Sequence, residues 1–204
     1  GEAATYSKFG TLIKTVGECH KAKEYYEKAL SIMIEIGDRQ GEAATYRNFG
    51  TLLESLSECQ KAEEYLEKAL SIVIEIGDRR GEAATYSKFG TLLESVGECQ
   101  KAKEYYEKAL SIMIEIGDRQ GEGATYINLG TSLQSLGEIR KAKEYNEKAL
   151  PIMIEIGDRQ REAVTYDNLG TVLQSLGEFQ KAKEYHEKAL SIEIEIGDRR
   201  GEPA

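Results

Sequence analysis

The sequence predicts an all-α protein, an α-solenoid of five helix-turn-helix hairpins. Three observations support this prediction: one 40-residue unit recurs along the 204 residues, apolar residues follow helical spacing, and a glycine divides the unit into two segments in every copy but the second, which has Ser57. A fixed period of about 20 to 50 residues is typical of solenoids, propellers and arrays. We therefore expect one repeat domain over 1–204, with units 1–40, 41–80, 81–120, 121–160 and 161–200 and a tail at 201–204.

The first half of each unit has the spacing of an amphipathic helix. In the first unit Tyr6, Phe9, Ile13 and Val16 are separated by three, four and three residues. This spacing places them on one face of a helix. A turn is predicted where Gly17 interrupts the pattern and at the equivalent positions Ser57, Gly97, Gly137 and Gly177.

The second half of the unit continues the helical pattern. The apolar residues of this half are Cys19, Ala22, Tyr26, Ala29, Met33 and Ile36. Gly37 follows them and is expected to end the helix in the left-handed conformation that glycine adopts at helix C-termini. Asp38 is a candidate N-cap for the next helix. Each unit is therefore predicted to form a helical hairpin.

The segment Gly37-Asp38-Arg39 joins one unit to the next and has two interpretations. A glycine beside an acid and a base could belong to a phosphate-binding or catalytic loop. A P-loop, however, requires further glycines and a Lys-Ser/Thr pair that this segment lacks. Because the segment recurs with the repeat, we interpret it as a structural joint.

The spacing of aromatic, glycine and alanine residues within the unit resembles the tetratricopeptide signature, which has aromatic, Leu, Gly, aromatic, Ala, aromatic and Ala residues in that order. The residues that carry this resemblance are Tyr6, Phe9, Gly10, Ile13, Gly17, Ala22, Tyr26 and Ala29, and the match to the signature recurs in all five units. The unit is longer than the usual 34 residues of that family. Through Asn168-Leu169-Gly170 and Gly157-Asp158-Arg159 it is similar to the Leu-Gly-Asn repeats of spindle-orientation scaffolds, although Thr171 stands where those repeats have Asn.

The resemblance implies a right-handed superhelix whose first helices line a concave groove that binds extended peptides. Gly10 costs a helix about 1 kcal/mol relative to Ala, so we expect a close helix approach there, with Ala22 opposite. The candidate peptide-binding residues are Ser7, Lys8, Thr11, Lys14, Arg47, Asn48, Thr51, Glu54, Lys88, Thr91, Ile127, Asn128, Thr131, Asp167, Asn168 and Thr171. Asn and Thr can pair with a peptide main chain, and Lys or Arg with carboxylates. The alternative is that these positions form only a solvated polar face.

Composition limits the classes of function. The formal net charge of −9 argues against nucleic acid as a partner, because phosphate binding requires clustered Lys and Arg. No apolar run approaches the roughly 20 residues that cross a bilayer, and no signal peptide is apparent at the start. The three cysteines fit a reducing compartment, so we expect a cytoplasmic protein without membrane contact.

We predict no enzymatic activity, no cofactor and no metal site. Cys19, Cys59 and Cys99 share a register with Ile139 and Phe179, which indicates an apolar position rather than a metal ligand. A zinc site needs three or four converging ligands. No nucleophile, base or carboxylate pair suited to catalysis stands out from the repeat.

Two hypotheses for the role of the chain follow. In the first, the chain is a protein-interaction scaffold that grips an extended protein or peptide segment with acidic residues. In the second, it is a structural array, natural or designed, whose similar repeats assemble with one another. The apolar faces of the first and last hairpins lead us to expect head-to-tail self-association.

Overall fold

The computed structural model describes residues 1–201, with side chains for residues 1–197, as consecutive α-helices without a strand in that range. The prediction of an all-α chain of helical hairpins is confirmed. The helices are α1 (Glu2–Thr15), α2 (Cys19–Ile36), α3 (Arg39–Ser55), α4 (Cys59–Glu75), α5 (Arg79–Ser95), α6 (Cys99–Glu115), α7 (Arg119–Ser135), α8 (Ile139–Glu155), α9 (Arg159–Ser175) and α10 (Phe179–Gly201).

By its contacts the chain divides into two compact parts that are larger than the 40-residue repeat, Gly1–Glu98 and Cys99–Ala204. We call these two parts unit 1 and unit 2. In unit 1, α1 and α2 form hairpin 1, α3 and α4 form hairpin 2, and α5 packs against both helices of hairpin 2. In unit 2, α7 and α8 form hairpin 4, α9 and α10 form hairpin 5, and α6 packs on α7. Adjacent first helices also touch, α1 with α3, α3 with α5, and α7 with α9. A single domain and a superhelix over the whole chain stay predictions.

The turns within hairpins use the left-handed backbone conformation. Gly17 has φ of 83° after α1, and the equivalent Gly137 has φ of 75° after α7. Ser57 takes the same place after α3 with φ of 60°, and it is the only residue other than glycine with positive φ in the part of the chain described. An L-residue is strained in this region, so Ser57 marks a place where the repeat requires glycine.

The joints between hairpins behave as predicted. Gly37 ends α2 with φ of 71°. Asp38 then caps α3, because its Oδ1 accepts a hydrogen bond of 2.9 Å from the backbone N–H of Gly41. This bond satisfies one of the N–H groups that a helix start leaves without a partner. The same cap recurs at Asp78, Asp118 and Asp158.

The arginine of each joint ties the two helices of its hairpin together. Arg39 donates to Glu42 in the first turn of α3 at 2.8 Å and to Glu75 at the end of α4 at 2.5 Å. Glu42 is almost fully buried, so Arg39 compensates a carboxylate that has lost water. Arg119 and Arg159 form the same pair of bonds in hairpins 4 and 5. We call this arrangement the arginine clasp.

We expected Gly10 to allow a close approach of the two helices, with Ala22 opposite. A Cβ built on Gly10 would lie 2.9 Å from Cε1 of Tyr26, so the nearest atoms beside the glycine belong to the ring of Tyr26. In hairpin 2 the equivalent Gly50 faces the side chain of Leu66 and the carbonyl oxygen of Ala62. A side chain one turn further along the second helix therefore requires the glycine.

Hairpin 1 and hairpin 2 pack through aromatic rings. Tyr26 of α2 stacks on Phe49 of α3 with ring centroids 5.5 Å apart. On its other side Phe49 contacts Tyr65 of its own hairpin, at 4.6 Å. Phe49 is thus enclosed between two rings, one from each hairpin, and such ring pairs stabilise packing beyond the area that they bury.

Two further features concern single helices. α8 continues through Pro151 to Glu155, so the proline does not end the helix. None of the helices in residues 1–201 is long and apolar enough to cross a bilayer.

Candidate functional site

The predicted binding residues of unit 1 lie on its three first helices. α1, α3 and α5 each contribute side chains that are exposed or only partly buried. We call this set the unit-1 surface; its members are Ser7, Lys8, Thr11, Lys14, Arg47, Asn48, Thr51, Glu54, Lys88 and Thr91. Because α1 packs on α3 and α3 on α5, side chains from all three helices lie on one continuous part of the unit.

Two hydrogen bonds fix neighbouring first helices to each other within this surface. Lys14 on α1 donates its Nζ to the carbonyl oxygen of Thr51 on α3, at 3.0 Å. Thr45 on α3 donates its hydroxyl to Oγ of Ser7 on α1, at 3.1 Å. The ammonium of Lys14 is therefore held over the next first helix instead of extending into solvent.

Lys14, Glu54 and Lys88 form a charged cluster across the three helices. Burial lowers the pKa of Lys14, the positive charge of Lys88 lowers it further, and Glu54 opposes both effects. Burial raises the pKa of Glu54, against the opposing charges of Lys88 and Lys14. Each residue senses the others, so the carboxylate of Glu54 lies between two cationic side chains that it only partly neutralises.

Arg47 is a further cation of this surface. Burial lowers its pKa below the ordinary value, and the charge of Asp78 acts in the opposite direction. An arginine remains charged at neutral pH even so. Its guanidinium is already partly stripped of water, so a carboxylate that reaches it meets a lower desolvation cost than at a fully exposed arginine.

Five predicted threonines, one on the first helix of each hairpin, share one hydrogen-bond pattern, and we call them the threonine ladder. Thr11 donates its hydroxyl to the carbonyl oxygen of Ser7 in the same helix, at 3.1 Å, and the equivalents in the other hairpins do the same. These equivalents are Thr51, Thr91, Thr131 and Thr171. Because the hydroxyl proton is committed to the helix, the threonines can accept a hydrogen bond from a ligand but have no proton to donate.

The asparagines of the neighbouring register are differently placed. Asn48, Asn128 and Asn168 are partly buried, and their side-chain amides have no hydrogen-bond partner among the residues that the structure describes. An amide offers both a donor and an acceptor. These three side chains can therefore form the paired bonds that a peptide backbone presents.

The predicted residues of unit 2 lie on α7 and α9, and we call them the unit-2 surface. They are Ile127, Asn128, Thr131, Asp167, Asn168 and Thr171. Ile127 is only 7% exposed and belongs to a core cluster with Ala149, Ile152 and Met153. Its predicted contact with a ligand is therefore limited to a small exposed area.

His186 belongs to the surroundings of this surface, although it is not among the predicted binding residues. Its Nδ1 is hydrogen-bonded to Oδ1 of Asp167 at 2.8 Å. A signal was present, since His186 occupies the register of Tyr26. The hydroxyl of Tyr26 lies 3.0 Å from Oγ1 of Thr11, so the end of a side chain at this register can contact the threonine ladder.

The cysteines and the acidic residues do not form a metal or disulfide site among the described side chains. Cys19, Cys59 and Cys99 are partly buried and are not joined by disulfides. In the part of the chain with described side chains, no group of three or more His, Cys, Asp or Glu side chains could hold a metal ion. The structure therefore offers the two surfaces as the candidate sites.

These features define a helical-hairpin repeat protein with polar, charged first helices. The sequence matches the tetratricopeptide repeat profile over residues 1–75, 58–115, 81–155 and 121–194. The chain belongs to the tetratricopeptide repeat family. No curated protein sequence matches the chain.

Several solved structures share the fold. BtubC from P. vanneervenii is 25% identical, with a TM-score of 0.84 over 98% of this chain and 82% of its own. Aspartyl phosphate phosphatase F from Bacillus subtilis is 21% identical, with a TM-score of 0.84 over 97% of this chain and 52% of its own. A Rap protein complexed with competence and sporulation factor is 20% identical, with a TM-score of 0.82 over 97% of this chain and 55% of its own.

Proposed function

We propose that the chain is a non-catalytic, cytoplasmic interaction scaffold that binds an extended acidic protein segment at the unit-1 surface. Tetratricopeptide repeats are typical of protein–protein interaction scaffolds, and a Rap protein of the same fold has been solved in complex with a factor. The observation that carries the proposal is that the unit-1 surface holds three cations, Lys14 and Lys88 around Glu54 and Arg47 near Asp78. These cations belong to a chain whose net charge is −9.

In this proposal the cations bind the side chains of the segment, and the neutral polar residues bind its main chain. Lys14, Arg47 and Lys88 pair with the carboxylates of the segment, and the partial burial of Lys14 and Arg47 strengthens each pair. The amide of Asn48 holds the main chain of the segment through one donor and one acceptor. Thr51 accepts a hydrogen bond from a main-chain N–H of the segment, since its own hydroxyl proton is donated to the backbone carbonyl oxygen of Arg47.

Glu54 sets the charge pattern that the segment must match. Its carboxylate lies among the cations, so an acidic residue placed directly above it is repelled. A segment with acidic residues on both sides of a neutral position fits the surface better than an unbroken acidic run. The unit-2 surface carries Asp167 and no lysine or arginine in its predicted set, so acidic residues have no cationic partner in that set.

A labelled acidic peptide tests the proposal. We expect saturable, salt-dependent binding of a peptide with spaced glutamates, measured by fluorescence anisotropy. The double variant Arg47→Glu, Lys88→Glu should weaken it at least about tenfold, which corresponds to about 1.4 kcal/mol. The matched control Lys28→Glu, Lys68→Glu makes the same change in net charge at two exposed lysines that lie over tyrosine rings. Equal losses in both double variants would place binding elsewhere.

A second candidate role is head-to-tail self-association. Phe9 and Leu12 are 46% and 56% exposed on α1, whereas Phe49 and Leu52, in the same registers of α3, are fully buried. What covers Phe49 is hairpin 1, so a hairpin of this sequence in a second copy can cover Phe9. On α10, Leu190 is exposed while the equivalent Leu30 is buried. Light scattering at increasing concentration tests this role, and a strict monomer at every concentration would contradict it.

A further inference from the structure

We infer that Glu193 limits the stacking of one copy of the chain on another, and that a methionine at this position would allow it. The inference rests on the head-to-tail contact proposed above. It adds the residue that controls the strength of that contact and the ring pair that the contact would form.

The accepting face is an open apolar cavity on hairpin 1. Thr5, Tyr6, Phe9 and Tyr25 line this cavity, whose volume is about 210 Å³. Phe9 contacts Tyr25 with centroids 5.4 Å apart, as Phe49 contacts Tyr65 in hairpin 2. Hairpin 1 lacks only the second ring, which Tyr26 supplies to Phe49. The cavity therefore has the shape and chemistry of a hairpin-docking site, with the contact between hairpins 1 and 2 as its template.

The register of Met33 lies at the centre of that template. Sδ of Met33 lies 3.2 Å from the hydroxyl oxygen of Thr45 in the next hairpin. In hairpin 2 the equivalent Val73 packs on the first turn of α5, where a Cβ on Gly81 would lie 2.8 Å from its Cγ1. All four earlier side chains of this register are buried: Met33, Val73, Met113 and Met153.

Hairpin 5 places a carboxylate in this buried register. Glu193 on α10 is exposed, since no further hairpin covers it within the described residues. If α10 docks on hairpin 1 of a second copy as α2 docks on α3, Glu193 meets Thr5, the equivalent of Thr45. A hydroxyl alone does not compensate a buried carboxylate, so the contact bears a large desolvation penalty.

The ring position on α10 is also altered. His186 occupies the register of Tyr26 and is held by Asp167 on α9. Replacing His186 with Tyr would offer Phe9 the ring that Phe49 already has, with Thr171 in the register of Thr11 to receive the hydroxyl. The two substitutions His186→Tyr and Glu193→Met together would give hairpin 5 the residues that hairpin 1 carries at these registers.

Sedimentation equilibrium of the full chain tests the inference. Gly1 is acetylated in every sample, so that its amino group cannot pair with Glu193 of another copy. We expect Glu193→Met to tighten self-association at least about tenfold relative to the unsubstituted chain. The control Glu184→Met removes the same charge at an exposed position whose carboxylate accepts from Gln180 of the same helix, and it should leave self-association unchanged. Adding Phe9→Lys to Glu193→Met should return the chain to its original state.

The remaining outcomes separate two errors: a wrong role for Glu193, and a wrong assignment of the head-to-tail contact. If the double variant His186→Tyr, Glu193→Met remains as monomeric as the unsubstituted chain, the head-to-tail contact itself is wrong. If His186→Tyr tightens association and Glu193→Met does not, the contact stands and the role of Glu193 is overturned. If the chain with Glu193→Met and Phe9→Lys still associates, like ends pair and the assignment of the accepting face is overturned. Peptide binding at the unit-1 surface is tested separately, by the anisotropy measurement described above.

Discussion

Asn146 donates its side-chain Nδ2 to the carbonyl oxygen of Ala142, at 2.8 Å, within α8. The other half of the amide, Oδ1, is buried and has no hydrogen-bond partner among the side chains and backbone that the structure describes. Leu66 occupies the same register in hairpin 2 and is also buried. A side chain of similar size but without polar atoms is therefore compatible with this site in the repeat.

We predict that Asn146→Leu stabilises the protein by about 1 to 3 kcal/mol, because it removes an unsatisfied buried acceptor. Urea denaturation followed by circular dichroism measures this change. The reciprocal variant Leu66→Asn is the control and should lose stability by at least as much. A loss of stability in Asn146→Leu would show that Oδ1 is satisfied in solution.

Ser57 gives a prediction about backbone strain. Its φ of 60° is unfavourable for a side chain with Cβ, whereas glycine tolerates it. Ser57→Gly should therefore raise the free energy of unfolding by about 1 kcal/mol. The reciprocal change Gly97→Ser, at φ of 81°, should lower it by a similar amount. An unchanged denaturation midpoint in Ser57→Gly would mean that the strain is relieved elsewhere.

Pro151 gives a prediction about helix continuity. It lies inside α8, where proline removes a backbone hydrogen bond to the carbonyl of Glu147 and crowds the preceding turn. The equivalent residue in the other units is serine. Pro151→Ser should stabilise the protein by up to about 3 kcal/mol, measured by thermal or urea unfolding. The reverse change Ser71→Pro in α4 should destabilise it, and equal midpoints for both variants and the unsubstituted chain would refute the expectation.

Glu54 gives a prediction about pH. Burial raises its pKa above the ordinary 4.5, so the ionised form is less favourable in the folded than in the unfolded chain. The resulting destabilisation is absent at pH below the unfolded pKa and fully present above the folded pKa. Glu54→Gln should thus be more stable than the unsubstituted chain at neutral pH and equal to it in acid. A difference that persists unchanged at low pH would contradict the assignment to ionisation.

The local elements of the fold could be predicted because their causes are local. Gly37 and Asp38 act through their own backbone and the next few residues, and both predicted roles are confirmed. The helical spacing within each half unit likewise depends on neighbours in sequence. Such features can be predicted from the sequence without knowing which residues the hairpin packs against.

Contacts between hairpins were not predictable in the same way. Nothing in the spacing of Lys14 indicates that its ammonium bonds to Thr51, since the distance across the stack depends on how α1 and α3 pack. The role of Tyr26 beside Gly10 was missed for the same reason. The arginine clasp did leave a signal, because Arg39 and Glu75 recur together in successive units, but no local rule links residues 36 positions apart.

The predicted binding residues stay predictions, and the structure changes what is expected of each. The threonines can pair with a main chain only as acceptors, because an internal helix carbonyl takes their proton. Ile127 is mostly enclosed by its own hairpin. Pairing of Lys14, Arg47 and Lys88 with carboxylates stays a prediction. Side-chain type predicted the chemistry of this surface, and only packing could establish which atoms remain available.

The arginine clasp has a consequence for how the number of repeats in such a gene can increase. Arg39, Glu42 and Glu75 all fall within one period of the chain, as do the cap at Asp38 and its partner Gly41. An in-frame duplication of any one period, wherever its break points fall, therefore reproduces a complete set of these bonds. Copies made in this way arrive already able to fold, so the number of repeats can change between generations without a new sequence being invented at each junction.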